Sequence, residues 1–193
     1  MRSALRRGVP VYSEGFSPEA AEHWDVQSNG GAAQWIEEGE YHIQVKLPDF
    51  LVIARDDRGL EFDDFRLDVD LAHPQGSPRD ESGVVFRYTG PDNFYLATID
   101  GRGALTLRRR FNGVWQKLAT DVRWVEVDPG TERVHLTVIA DHERLLFGVQ
   151  GSKVLEETDS CLTRGQVGLY AAGDDLPDFH ASFDNLEVWP LGQ

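Results

Sequence analysis

The sequence predicts an all-β antiparallel sandwich, and three observations carry that expectation. Apolar residues recur with a period of two in segment after segment. No stretch of about 12 or more residues keeps a helical period. Turn chemistry breaks the chain at spacings of roughly 10 residues, the pattern of a sandwich or barrel.

The elements follow in order. Ser17-Pro18-Glu19-Ala20-Ala21-Glu22 is the one helix signal, with Ser at the N-cap and Pro at the first helical position, and it supports one or two turns. Phe65-Arg66-Leu67-Asp68-Val69-Asp70-Leu71 alternates apolar and charged residues, which defines a half-buried strand with Arg66, Asp68 and Asp70 on the face away from the core. Ala72–Glu81 is polar and reads as a loop. Asp100-Gly101-Arg102-Gly103 separates strands at Asn93–Ile99 and Ala104–Arg110, and Asn112-Gly113 joins the latter to Val114–Leu118. Asp141-His142 and Gln150-Gly151 divide Arg133–Ala140, Arg144–Val149 and Lys153–Glu157. Two three-stranded meanders result, within a total of about 12 to 14 strands.

The chain has 193 residues, a length at which one β-sandwich is the economical expectation. The expected organisation is a disordered arm over 1–8 followed by a single domain over 9–193. Lys and Arg total 19 against 33 acids, a net charge of −14. A field of that sign repels phosphate backbones and anionic lipid surfaces, so neither nucleic acid nor a membrane is an expected partner. The longest apolar run, Phe50 to Ala54, falls far short of the about 20 residues a spanning helix needs. The basic start, Met1 to Gly8, has no apolar segment behind it. The chain as written is therefore expected in the cytoplasm, and outside the cell if it is a fragment of a longer protein. The single cysteine, Cys161, excludes an internal disulfide framework and is expected to be an inert small residue.

The succession of Glu40–Val45, Asp64–Asp70, Ser82–Tyr88, Asp92–Leu96, Arg133–Val138, Leu145–Gly151, Gly165–Tyr170 and Phe183–Val188 resembles the concanavalin A-like, laminin G-like jelly rolls. Within them it is most similar to the family 16-like 3-keto-disaccharide hydrolase domains. The resemblance covers about residues 12–189 and implies two stacked sheets, with glycans bound on the concave face or its rim. Some relatives hydrolyse glycosides or process 3-keto sugars, and others only bind. The resemblance also implies a structural Ca²⁺ held by an aspartate near the C-terminus, a position that Asp184 matches, with carbonyls around Ser13–Glu14 and Gly39.

Conventional retaining glucanases of that family carry Glu-x-Asp-x-Glu or Glu-x-Asp-x-x-Glu on one strand. The nearest string, Glu126-Val127-Asp128-Pro129-Gly130-Thr131-Glu132, is one residue too long and is broken by Pro-Gly. Glu61-Phe62-Asp63 has Arg66 where a second acid would stand. A retaining glucanase is therefore not expected.

Candidate ligand-binding residues are Arg66, Asp68, Asp70, Arg87, Tyr95, Arg108 and Trp115. Carboxylates and guanidinium groups hydrogen-bond sugar hydroxyls, and aromatic faces stack on pyranose C–H surfaces. Each has a plainer alternative: a solvated face for Arg66, Asp68 and Asp70, a buried ion pair for Arg87, and core packing for Tyr95, Trp115 and Trp35. Trp24 and Trp189, near the termini, suit sandwich-edge packing. Arg108-Arg109-Arg110 is expected to split across the sheet, with Arg108 and Arg110 paired to acids on one face and Arg109 on the other. The six histidines show no zinc spacing, and no Gly-x-Ser-x-Gly nucleophile elbow occurs.

The leading expectation is glycan recognition on a concave face without catalysis. The alternative is an enzyme acting on 3-keto sugars, with Asp68 or Asp70 as base and Arg87 stabilising an oxyanion. A protein-interaction module is the third.

Overall fold

The computed structural model describes residues 8–121 and 132–191. Among them are fifteen strands and one short 3₁₀ segment, Pro18–Glu22. The strands are β1 (Tyr12–Glu14), β2 (Gln27–Ser28), β3 (Ala32–Glu37), β4 (Glu40–Val45), β5 (Phe50–Arg55), β6 (Phe65–Gln75), β7 (Glu81–Gly90) and β8 (Asn93–Asp100). They continue as β9 (Leu105–Phe111), β10 (Val114–Asp121), β11 (Val134–Asp141), β12 (Arg144–Val149), β13 (Ser152–Thr158), β14 (Gln166–Gly173) and β15 (Phe179–Pro190).

Two antiparallel sheets stack face to face. One has nine strands in the order β13-β12-β11-β6-β15-β4-β3-β2, with β1 added against β15. The other has six, in the order β10-β9-β8-β7-β14-β5. This is the jelly-roll sandwich the sequence predicts. The period-two alternation places Phe65, Leu67, Val69 and Leu71 of β6 opposite Val84 and Phe86 of β7 and Tyr95, Ala97 and Ile99 of β8 in one continuous core. Burial of these apolar side chains, at about 1.5–3 kcal/mol each, is the main force holding the two sheets together.

Both meanders form as expected. The Asn112-Gly113 turn has φ of 50° and 78°. Two successive positive φ values match the right-handed twist of the flanking strands, which is why Asn-Gly serves there. The Gln150-Gly151 turn repeats the device, with φ of 51° and 75°.

Three expectations are corrected or bounded. Ala72–Glu81 is not a loop throughout, because β6 continues to Gln75 and only the stretch between Gln75 and Glu81 turns. His73 and Asp80 within it are buried, and His73 shares a 2.6 Å hydrogen bond with Ser82. Ser17 precedes the 3₁₀ segment without capping it and instead donates to the Glu19 carboxylate at 2.7 Å. The expected arm and nearly all of the Glu126–Glu132 string lie outside the described residues.

Candidate functional site

The two outward faces of the sandwich are chemically different, and the candidate residues divide between them.

On the six-stranded sheet, strands β5, β14, β7, β8, β9 and β10 set their outward residues in rows. Leu51, Ala172, Glu81 and Asp100 are successive register partners, as are Ile53, Tyr170, Gly83, Thr98, Thr106 and Thr120. Gly83 is required in the second row, because a Cβ there would lie 2.0 Å from the Ala97 carbonyl oxygen. Several side chains on this outward face are nevertheless buried. Val85, Phe94, Leu96 and Tyr170 form a second apolar cluster, with Tyr170 only 4% exposed.

Two adjoining depressions, of about 410 and 420 Å³, open on this face and share Glu81, Arg108 and Lys117. Arg108 reaches across β8 to Glu81, with Nη1 at 2.6 Å from Oε1. Thr98 Oγ1 donates to the other carboxylate oxygen at 3.0 Å, and the Tyr170 hydroxyl points at Oε1 from 3.5 Å. Burial, together with the Glu81 charge, pushes the Tyr170 hydroxyl pKa well up, so it is a neutral donor. Trp115 stands at the edge, 41% exposed, with its ring edge-on to Phe94 at 5.4 Å and the Arg110 guanidinium 5.5 Å from its centre. The 410 Å³ depression adds Asp100 and Arg102, a 2.6 Å pair, with Arg79 and Asp174 at its rim.

The expected division of the arginine triplet is what the structure contains. Arg108 pairs with Glu81 and Arg110 with Asp92, while Arg109 turns the other way to Asp159.

Arg66, Asp68 and Asp70 lie on the opposite side of the molecule, on the outward face of the nine-stranded sheet. Their grouping with Arg108 and Trp115 is therefore corrected: alternation puts the three on one face, but that face belongs to the other sheet. Asp68 is 1% exposed. It accepts from Arg66 at 2.8 and 2.9 Å and from Thr137 at 2.7 Å, and His135 Nε2 stands 3.3 Å away. Burial acts to raise its pKa, but the hydrogen bonds from His135, Arg66 and Thr137 prevail and hold it far below the usual carboxylate range. Asp68 is thus a satisfied structural anion and a poor base. His135 is raised in turn, by its bonds to Asp68 and Asp70.

This cluster fixes a pH dependence. The His135 contribution is complete below the ordinary imidazole value of about 6.5 and is lost as pH rises through its raised folded pKa. The Asp68 contribution is complete above about 3.9 and is lost as pH falls through its depressed folded pKa. Both are present between about pH 4 and 6.5. The stability gap between the native chain and His135→Gln is expected to be widest there and to shrink as pH rises through the raised His135 pKa. Urea melts across that range read the gap; a gap that stays constant with pH would remove the imidazolium from the account.

Arg87 meets the plainer of its two expectations, a buried ion pair, with Asp64. It is 0% exposed, and all five of its N–H groups are engaged. Nε and Nη2 donate to the Asp63 carbonyl at 3.2 and 3.0 Å, Nη1 to the His142 and Leu162 carbonyls at 2.8 and 3.0 Å, and Nη2 to Asp64 Oδ1 at 3.2 Å. No donor is left for a developing oxyanion. Arg87 therefore ties loops together at one end of the sandwich. Tyr95 faces inward, stacked on Phe86 at 5.3 Å, with its hydroxyl donating to Asp159 at 2.5 Å and accepting from the Leu162 amide at 3.2 Å. It is a core residue.

Asp184 sits beside Asp70 and Asn185 on the nine-stranded sheet. Both its oxygens accept from Asn185, through the backbone N–H at 2.6 Å and Nδ2 at 3.1 Å. The same Nδ2 reaches Asp70 at 3.0 Å.

Glu81 and Tyr170 are the residues that sequence reasoning missed. Tyr170 carried a period-two signal in Val167–Tyr170, but nothing local tied it to Glu81, 89 residues away.

The molecule thus has the concanavalin A-like jelly-roll fold, with a cleft on its six-stranded face. No protein-family model matches the chain, and no curated protein is a significant sequence match. Among solved structures it is similar to the carbohydrate-binding module CBM66 from Bacillus subtilis, at 22% identity and a TM-score of 0.66, over 86% of this chain and 95% of that one. It is similar to a Bacillus subtilis protein of unknown function with a galectin-like fold, at 15% identity and a TM-score of 0.76, over 98% and 100% of the two chains. It is also similar to a Bacillus licheniformis β-glucanase, at 14% identity and a TM-score of 0.68, over 95% and 99%.

Proposed function

We propose that the outward face of the six-stranded sheet binds a glycan without converting it. The observation that carries this reading is Trp115, an exposed indole at the mouth of a cleft walled by the Glu81–Arg108 pair, Lys117 and Tyr170. An apolar ring face beside fixed charged donors and acceptors suits a pyranose, which presents C–H on one side and hydroxyls at its edge. The similarity to a carbohydrate-binding module is consistent with it.

The electrostatics favour binding over hydrolysis. Glycoside hydrolysis needs an acid held protonated by a raised pKa beside a second, ionised carboxylate. Among the described residues every carboxylate with a shifted pKa, namely Glu19, Asp56, Asp68 and Asp159, is shifted down. On the cleft itself Glu81 and Asp100 are each paired to an arginine.

A thermal-shift panel of mono- and oligosaccharides, 3-keto derivatives included, tests the reading. A sugar at about 100 times its Kd adds about 2.7 kcal/mol, several degrees for a domain of this size. A sugar-specific shift is expected. No shift with any sugar would overturn the reading, and product formation in the same mixtures would replace binding with catalysis.

A further inference from the structure

Strands β4 and β15 bring two histidines together on the outward face of the nine-stranded sheet, far along the chain from one another. In the register His42 opposes Ser182, and His180 opposes Gln44, so the imidazoles meet diagonally across the strand pair. His42 Nδ1 and His180 Nε2 face each other at 3.0 Å. Trp35 of the next strand, β3, packs on both rings. It stacks on His42 at 4.9 Å with 12° between planes and lies 5.1 Å from His180. No histidine spacing in the sequence announces this pair, because the two residues stand 138 apart.

We propose that His42 and His180 form a binding site for a divalent transition-metal ion, of the Cu²⁺, Ni²⁺ or Zn²⁺ class, on the sheet face opposite the cleft. Two imidazole nitrogens on one such ion sit at ~2.0–2.1 Å from it, and hence ~2.8–3.4 Å from each other for angles from square to tetrahedral. The separation in the structure already lies in that range, on two hydrogen-bonded strands whose backbones hold it. With no ion the two nitrogens must share a proton, one donating and the other accepting. Metal binding needs both lone pairs, so that proton moves to the remote nitrogen of its own ring and the pair stays neutral.

The surroundings are compatible. Gln44, the register partner of His180, donates from Nε2 to Asp178 at 3.4 Å, so an amide oxygen and a carboxylate stand beside the pair. Water completes the coordination. The net charge of −14 raises the local concentration of cations. The stacking of Trp35 fixes the His42 ring plane in the way an outer-sphere partner orients a ligating imidazole.

Trp35 also supplies a readout. Cu²⁺ is titrated into the full chain near neutral pH while tryptophan emission is followed, and Zn²⁺ is titrated by calorimetry. One equivalent is expected to bind at micromolar concentration, with quenching by Cu²⁺. His42→Ala and His180→Gln should each weaken binding at least tenfold, and circular dichroism confirms that each variant is folded. Trp35→Phe should keep the heat of binding and lose most of the quenching. His142→Ala should keep this binding and lose only a second equivalent where one is seen, since His142, Asp64 and Asp141 form a separate group that could itself hold an ion. Binding that survives in His180→Gln, or that vanishes in His142→Ala, would overturn the assignment, as would the absence of binding below millimolar metal.

Discussion

Replacement of Arg87 by alanine is expected to destabilise the fold by about 3–5 kcal/mol, the largest effect expected of any single side chain. The guanidinium is wholly buried and satisfies three main-chain carbonyls, of Asp63, His142 and Leu162, besides the Asp64 carboxylate. Removing it leaves those acceptors dry and unpaired and opens a void where the side chain lay. Arg87→Met fills the void but still orphans the carbonyls, so it should recover only part of the loss. Arg87→Lys cannot reproduce a five-donor fork and should also fall short. Burial lowers the Arg87 pKa, and the nearby charges of Asp64 and Asp63 oppose it only in part. The backbone adds to the demand: Arg87 has φ of 47°, a left-handed conformation that costs a side-chain-bearing residue about 1–2 kcal/mol. The bonds of its own guanidinium hold it there. Denaturant unfolding measures the change, and a loss under about 1 kcal/mol would show that Arg87 is not the tie described here.

Trp115→Ala is expected to weaken glycan binding by about 10- to 100-fold, or about 1.4–2.8 kcal/mol, with little change in stability. The two effects separate because the indole is exposed on the sheet-edge strand β10, where it covers Phe94 with one edge only. Its truncation therefore removes a stacking surface without opening the core between the sheets. Arg108→Ala is a useful companion: it costs affinity and stability together, because Glu81 is left half-buried without its counter-charge. Calorimetric titration of both variants separates the roles. If Trp115→Ala binds as tightly as the native chain, the indole is a packing residue and the cleft is not used as proposed.

The fold was legible because its signals are local. Alternation in Phe65–Leu71, the Asn112-Gly113 turn and the split of Arg108 and Arg110 from Arg109 each follow from the two-residue period of a strand. The same period fails at the next level up. It shows that Arg66, Asp68 and Asp70 share a face, yet it cannot tell which sheet the strand joins, so they were grouped with a cleft on the far side of the molecule. It also cannot register a break in itself. The register of β7 slips between Phe86 and Gly90, where Arg87 takes its positive φ, and this turns an arginine of an outwardly regular strand into an interior tie. Tyr95 meets the plainer of its two expectations, core packing, and its hydroxyl finds a partner, Asp159, that lies 64 residues away. The Glu81–Tyr170 and His42–His180 pairs depend on strand order, which no short motif encodes.

The central claim is that ligand binds the six-stranded face. Amide chemical-shift mapping of the labelled protein, with the sugar that raises its melting temperature, tests this most directly. Perturbations are expected to cluster on β7, β9, β10 and β14, around Glu81, Arg108, Trp115 and Tyr170. Perturbations centred instead on Arg66, Asp68, Asp70 and His135, across the sandwich, would contradict it.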